Sequence, residues 1–324
     1  MNLHKLVFII VLITSSFMAC TIKMPNPLME QEYIANHLTD QHIQIPGTRL
    51  FMIPPLGFTL NSHSMSFDSE DGSKMIIKDI LGGDFEKNAG GLNENVLRES
   101  GFKLLKHNAF VLNGYSARYA VVEAWGNANT LLFGFGDSSF AVMISAMYPS
   151  TDTSIENNIN TSIASIVYDE NAVIDPSLVA IFVTDSLVSK YQFSQFNSGS
   201  YYYTRPNKSK NLTGDLKNTV SIKQVSADNM IMSETLTQET LSSFQKNGFA
   251  FSDTIHLEYS RIDGQEAIET ATFGTLKGEK HLLYTLTILN RAKNIGIIVN
   301  NLMDSSFEDN LSESKKFTHS IKFK

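Results

Sequence analysis

From Arg49 onward, hydrophobic residues fall in short runs bounded by Gly, Pro, Asn and Asp, and few stretches carry helical spacing. Leu50–Phe58 and Thr59–Phe67 read as strands, Ser69-Glu-Asp-Gly72 as a turn, and Lys74–Leu81 as another strand. Short runs rich in β-branched and aromatic side chains suit a half-buried sheet. Asn93–Ser100 reads as a short helix stopped by Gly101, the residue type that ends helices in a left-handed conformation. Phe102–Leu112 and Tyr115–Trp125 flank Asn113-Gly114, a pair suited to the two positive φ angles of a type I′ hairpin turn. Thr130–Phe135 and Phe140–Tyr148 form a second hairpin. Ser154–Ile166 is different: Ile155, Ile159, Ile163 and Ile166 lie on one helical face. Asp152, Thr153 or Ser154 supplies its N-cap.

The same order returns farther on. Val220-Ser-Ile-Lys-Gln-Val225 stands against Met75-Ile-Ile-Lys-Asp-Ile80, and Lys246-Asn-Gly-Phe249 against Glu99-Ser-Gly-Phe102. Asp263-Gly264 stands against Asn113-Gly114, and Thr272-Phe-Gly274 against Ala124-Trp-Gly126. His281–Ile288 and Ile295–Val299 echo the second hairpin, and Phe307–Ile321 echoes the closing helix. Subtracting paired numbers gives offsets from 145 (Val220 less Met75) to 155 (Ser320 less Ser165). A near-constant, domain-sized offset predicts a duplicated domain and not a solenoid repeat. The boundary falls at Tyr168–Ser177, where Asp169-Glu-Asn171 and Asp175-Pro176 break the pattern. The predicted class is α+β: two tandem domains, 48–170 and 177–324, each a twisted antiparallel sheet flanked by helices.

Before the first domain the chain changes character. Lys5 precedes an apolar run, Leu6–Ile13, then Phe17-Met-Ala-Cys20. That run is too short to span a bilayer, which needs ~20 apolar residues, and it fits a secretory signal over 1–19. Ala19 before Cys20 resembles a bacterial lipobox, although Phe17 stands where Leu is usual. The resemblance implies lipidation of Cys20, with acyl chains such as palmitate, and attachment to a membrane. Thr21 at the next position favours the outer membrane over inner-membrane retention. An ordinary signal or an uncleaved anchor is the alternative for these residues. Residues 20–47, with Pro25, Pro27 and Pro46, read as a tether.

Charge and cysteine usage narrow the function classes. The chain has 324 residues, 42% hydrophobic, with a formal net charge of −7. A mildly acidic chain argues against general nucleic-acid binding. Cys20 is the only cysteine, so no intramolecular disulfide can hold either domain.

A strand entered by Pro55-Leu-Gly-Phe58, a helix ending in Gly-Phe, the Asn/Asp-Gly hairpin with Ala117 or Ala267 three residues beyond the Gly, and a closing helix ending in Ser-Ile resemble the PsbP-like family, which includes DcrB-type bacterial lipoproteins. The resemblance implies a non-catalytic envelope or assembly accessory protein, and it carries over no catalytic residue.

The chemistry-bearing motifs are weak. Gly136-Asp-Ser138 resembles the nucleophile block of one esterase class, and Asp253-Thr-Ile-His256 fits its base motif formally. The predicted placement of both, on a hairpin turn and on a strand of the other repeat, fits neither role. His37, Asp40 and His42 have metal-ligand chemistry but lie in the tether. Tyr201-Tyr-Tyr203 is the candidate partner contact: alternation along a strand turns at least one ring outward, and Arg205, Lys208 and Lys210 follow. The reading is a lipid-anchored interaction module without enzyme activity, cofactor or metal. Its partners are a membrane through Cys20 and an envelope protein, met at a sheet face or the inter-domain groove. The alternative is a carrier of a small apolar ligand, with a cavity lined by Phe102, Leu104 and Met143.

Overall fold

A computed structural model describes residues 26–124, 126–185, 187–197, 199–206, 217–227 and 232–324. Residues 1–19, read above as a signal, and Cys20, Trp125, Lys208 and Lys210 lie outside the described residues.

The first half opens with helix α1 (Pro27–Glu30) and strands β1 (Tyr33–Ile34), β2 (Ile43–Gln44) and β3 (Leu50–Met52). β4 (Phe58–Asn61), β5 (Ser66–Ser69) and β6 (Lys74–Leu81) follow, then helices α2 (Phe85–Ala89) and α3 (Glu94–Glu99). β7 (Leu104–Leu112), β8 (Tyr115–Glu123), β9 (Ala128–Gly136) and β10 (Phe140–Pro149) lead into helix α4 (Thr153–Ala164) and β11 (Val167–Tyr168). The sheet order is β1-β7-β8-β9-β10-β6-β5-β4, antiparallel except where β1 runs parallel to β7. β11, β3 and β2 form a small separate sheet.

The second half repeats this wiring. β12 (Phe182–Val183), β13 (Gln192–Asn197), β14 (Ser200–Thr204) and β15 (Val220–Ser226) precede helix α5 (Ser233–Lys246). β16 (Ala250–Phe251), β17 (Glu258–Ile262), β18 (Gln265–Leu276), β19 (Glu279–Asn290) and β20 (Ile295–Met303) lead to helix α6 (Phe307–His319) and β21 (Lys322–Phe323). The order β13-β14-β15-β20-β19-β18, with β16 and β17 both on β18, is that of β4-β5-β6-β10-β9-β8-β7. β12 pairs with β21 as β3 pairs with β11. The fold is α+β, in two sheet-rich halves.

Alternation explains how each half builds its core. Leu131, Phe133 and Phe135 on β9 point with Tyr119 of β8 and Ile144 of β10 toward Ile159 and Ile163 of α4. Asp152 caps α4, its Oδ1 accepting from the Ser154 and Ile155 amides. The opposite face takes Phe85, Ala89 and Leu92 against Leu132 and Met143. In the second half Tyr284, Leu286, Ile297 and Val299 face Phe317 of α6. Leu236 of α5 covers Leu289 and Ile298 on the other side.

Both predicted hairpin turns form. Asn113 and Gly114 have φ of +50° and +89°, Asp263 and Gly264 +51° and +74°. Both predicted glycine stops also form. The amides of Phe102 and Phe249 reach back to Leu97 and Phe244 carbonyls, while Gly101 and Gly248 take positive φ.

Two expectations need correction. The described part of the tether is packed chain: Leu28 and Ile45 are wholly buried and join the first core. Pro27 opens helix α1 and Pro46 lies in the turn after β2, so very short elements dock on the first half where composition alone suggested a spacer. The predicted strand Thr59–Phe67 is two strands. The polar stretch Asn61–Ser64 makes the turn between them, Asn61 Oδ1 accepting from the Ser64 amide.

Candidate functional site

The tyrosine run supplies less surface than its sequence suggested. Tyr201 and Tyr203 are 2% and 8% exposed and belong to the second core. β14 lies inside the sheet, so the face bearing alternate residues 201 and 203 is the one α6 covers. Tyr201 donates its hydroxyl to the Pro176 carbonyl at 3.0 Å. Tyr202 points the other way, half-buried, opposite Ser221 in register. Arg205 is engaged within the fold. Its Nη1 donates to Asp309 Oδ2 at 2.9 Å and its guanidinium lies over the Tyr191 ring. It thereby ties the end of β14 to the first turn of α6. Burial therefore removes Tyr201 and Tyr203 from the predicted contact, while Tyr202 and Arg205 are half-buried and keep some outward-facing surface.

The other candidates do not assemble. Ser138 is exposed in the β9–β10 turn, where the Asp137 carboxylate accepts from Ser139 and from the Phe140 amide. Those hydrogen bonds, led by the Ser139 amide, hold the Asp137 carboxyl below its usual range. His256 is in the other half, before β17, and no hydrogen bond joins it to Ser138 or Asp253 among the described residues. His42 uses both ring nitrogens: Nδ1 accepts from the Thr39 amide at 3.2 Å, and Nε2 donates to the Ser165 carbonyl at 2.8 Å. No metal-binding group of side chains occurs among the described residues. Phe102 is 49% exposed, while Met143 is packed under α2. A Cβ on Gly134 would lie 2.9 Å from Met143 Sδ and 3.1 Å from Ala89 Cβ, so α2 fills the space the carrier reading needs.

The feature the structure does assemble is a groove of about 560 Å³ between the two halves. The β4–β5 turn and β6 supply one wall. Gly199, β15 and the β19–β20 turn supply the other. Side-chain amides fix the walls against each other. Asn197 Oδ1 accepts from the Leu81 amide, and its Nδ2 donates to the Leu81 carbonyl, both at 3.1 Å. Gln224 Nε2 donates to the His63 carbonyl at 3.1 Å and the Val179 carbonyl at 3.0 Å, while its Oε1 accepts from the Ile181 amide at 2.6 Å. Met65, from the first half, is buried in the second core.

Four lysines line this groove: Lys74, Lys78, Lys223 and Lys293. Lys74 pairs with Asp68 at 3.3 Å, and Lys293 donates to the Lys324 carbonyl. Lys78 and Lys223 are exposed and have no acidic partner among the described residues. These two occupy equivalent positions in the halves. Lys78 pairs with Met143 on β10 and Lys223 with Ile298 on β20, the same 155-residue step (298 less 143) seen for the Ser-Ile helix ends. Their neighbours match too. Asp79 Oδ2 accepts from the Arg49 amide at 2.9 Å, as Gln224 Oε1 does from Ile181. Tyr202 shares the sheet face of Ser221 and Lys223. The sequence alignment set Lys78 over Lys223 but gave no reason to single them out. Their convergence depends on how the halves abut.

No family model matches the chain, and no curated protein matches it. Among solved structures, a chain of the Tle4–Tli4 complex is similar at 10% identity, covering 89% of this chain and 99% of that one, with a TM-score of 0.29. The T6SS immunity protein TplEi of Pseudomonas aeruginosa, complexed with an "L" peptide, is similar at 10% identity over 88% of this chain and 98% of that one, TM-score 0.27. A Bacteroides thetaiotaomicron VPI-5482 protein is similar at 10% identity over 75% and 89%, TM-score 0.30. At these scores the likenesses assign no function.

Proposed function

We propose that this chain is a lipid-anchored bacterial envelope protein of two PsbP-like domains that binds a partner protein, without catalysis, in the groove between its halves. The observation that supports it best is the groove itself: two walls joined by side-chain amides, with two exposed lysines at equivalent positions that have no acidic partner among the described residues. Rigid walls reduce the ordering cost of association, and unpaired cations steer an oppositely charged partner. The signal-like start and Cys20 supply the membrane attachment, with the outer membrane as its site. Several acyl chains anchor stably where one is marginal.

Two measurements test this reading. Radiolabelled palmitate enters the wild-type chain and not Cys20→Ser; equal labelling overturns the anchor. A photo-crosslinking residue is placed at Asn61 or Lys293, one on each wall, and at Gln238 on α5 as a control. Both groove positions join the same envelope protein in living cells and the control does not. Absence of that adduct from both groove positions, or its equal appearance at Gln238, overturns the groove reading.

A further inference from the structure

Building on the groove reading above, we infer that the segment it accepts is an extended, acidic stretch of protein whose carboxylates pair with Lys78 and Lys223. The local geometry sets the chemistry. Along each strand, alternate residues share a face, so β6 presents Lys74, Ile76 and Lys78 in one row, and β15 presents Ser221, Lys223 and Val225 in another. An extended peptide has the same two-residue period. It can set acidic side chains against the lysines and small or apolar ones against Ile76 and Val225.

Charge favours the same occupant. The chain carries a net −7, so an acidic segment is repelled by the molecule as a whole and attracted locally where cations lack partners. Lys74 and Lys293 already have oxygen partners, which leaves Lys78 and Lys223 to define the recognition. Two other anions fit less well. A flat bilayer meets protruding cations, whereas these stand in a concavity between two domains. A single phosphate is gathered by converging main-chain amides or a guanidinium fork, and the groove's cations are lysines on opposite walls.

The test uses the full chain carrying Cys20→Ser, so that lipid is absent. The probe is a fluorescein-labelled eight-residue peptide of alternating Glu and Thr, read by fluorescence anisotropy at low and high salt. The Glu peptide binds and its Gln counterpart does not. Exposed ion pairs are individually weak, so Lys78→Gln and Lys223→Gln each reduce affinity by about threefold and the pair by about tenfold. The Arg double variant keeps the charge and retains binding, and Lys246→Gln, on α5, leaves it unchanged. Salt weakens the wild-type complex and hardly affects the residual binding of the double Gln variant. Binding of the Glu peptide that the double Gln variant leaves intact overturns the inference, as does equal binding of the Gln peptide. Displacement of the peptide by inorganic phosphate or by phosphatidylglycerol vesicles, with the same lysine dependence, also overturns it by assigning the pair to a phosphate ligand. The two levels separate cleanly. If the groove crosslinks persist in the double Gln variant, partner binding stands and acidic recognition fails; if no crosslink forms, the groove reading itself fails.

Discussion

At the scale of single residues, the two halves solve one problem with different side chains. Asp79 and Gln224 follow the equivalent lysines, and each accepts a main-chain amide from the short strand region that opens its half. Asp79 is 3% exposed and also accepts the Tyr168 hydroxyl at 3.2 Å. Burial raises its carboxyl above the usual range, because the amide of Arg49, its charge and the Tyr168 hydroxyl do not offset the lost hydration. A carboxyl whose folded pKa exceeds its unfolded one binds its proton first in the folded chain. Stability from this group therefore rises as pH falls through the folded value, and levels off below the unfolded one. Gln224 shows that a neutral amide can accept the same kind of hydrogen bond. Asp79→Asn is therefore expected to be as stable as wild type at pH 7.5, or more stable by about 1 kcal/mol. It should lack this group's gain on acidification, as urea unfolding at pH 7.5 and pH 4.5 would show. A large loss at pH 7.5 would mean that the ionised carboxylate is needed to hold Arg49.

At the scale of elements, turns and caps follow their residue types closely, while close packing follows neighbours far along the chain. Gly274 makes the point. The sequence echo set it against Gly126, which has φ of +72° after β8. β18 instead runs on to Leu276, and the matching turn is Lys277-Gly278, with φ of +53° and +82°. Gly274 lies within the strand, where a Cβ would fall 2.3 Å from the Phe249 ring and 2.6 Å from the Ala250 carbonyl oxygen. Gly274→Ala must displace main chain as well as a ring. We expect a loss of about 2–3 kcal/mol, read from the urea midpoint; a change below 0.5 kcal/mol, within the range typical of surface substitutions, would show that β16 moves aside freely. The same contrast explains what was legible beforehand. The Asn-Gly and Asp-Gly turns, the Gly-Phe helix stops and the α4 face are local signals, and all are present; the repeated order along the chain reappears as repeated sheet wiring. The two-residue strands β11, β12 and β21 are too short to show a period, so their pairings were hidden. The Tyr201–Tyr203 run obeyed the alternation rule, but which side faces α6 is a property of the sheet. The groove lysines were visible as an aligned pair without any sign that they line one groove.

At the scale of the whole molecule, the halves are coupled by a few specific contacts. Met65 is 8% exposed and packs in the core of the other half. Gly199 faces it closely, a Cβ there falling 2.7 Å from Met65 Cε. Asn197 and Gln224 add the amide bonds to Leu81 and His63. Each amide truncation removes more than one hydrogen bond, at about 1 kcal/mol per bond, while the separate cores beneath α4 and α6 are untouched. Such an interface makes the halves unfold as one unit only while it holds. Wild type should therefore show a single calorimetric transition. Asn197→Ala with Gln224→Ala should resolve two, the less stable half melting first. Because the same amides fix the groove walls, acidic-peptide binding should weaken in this variant although Lys78 and Lys223 remain. A single unshifted transition with undiminished peptide binding would mean that Met65 and its surroundings hold the halves together unaided, and that the amides do not set the spacing of the lysines.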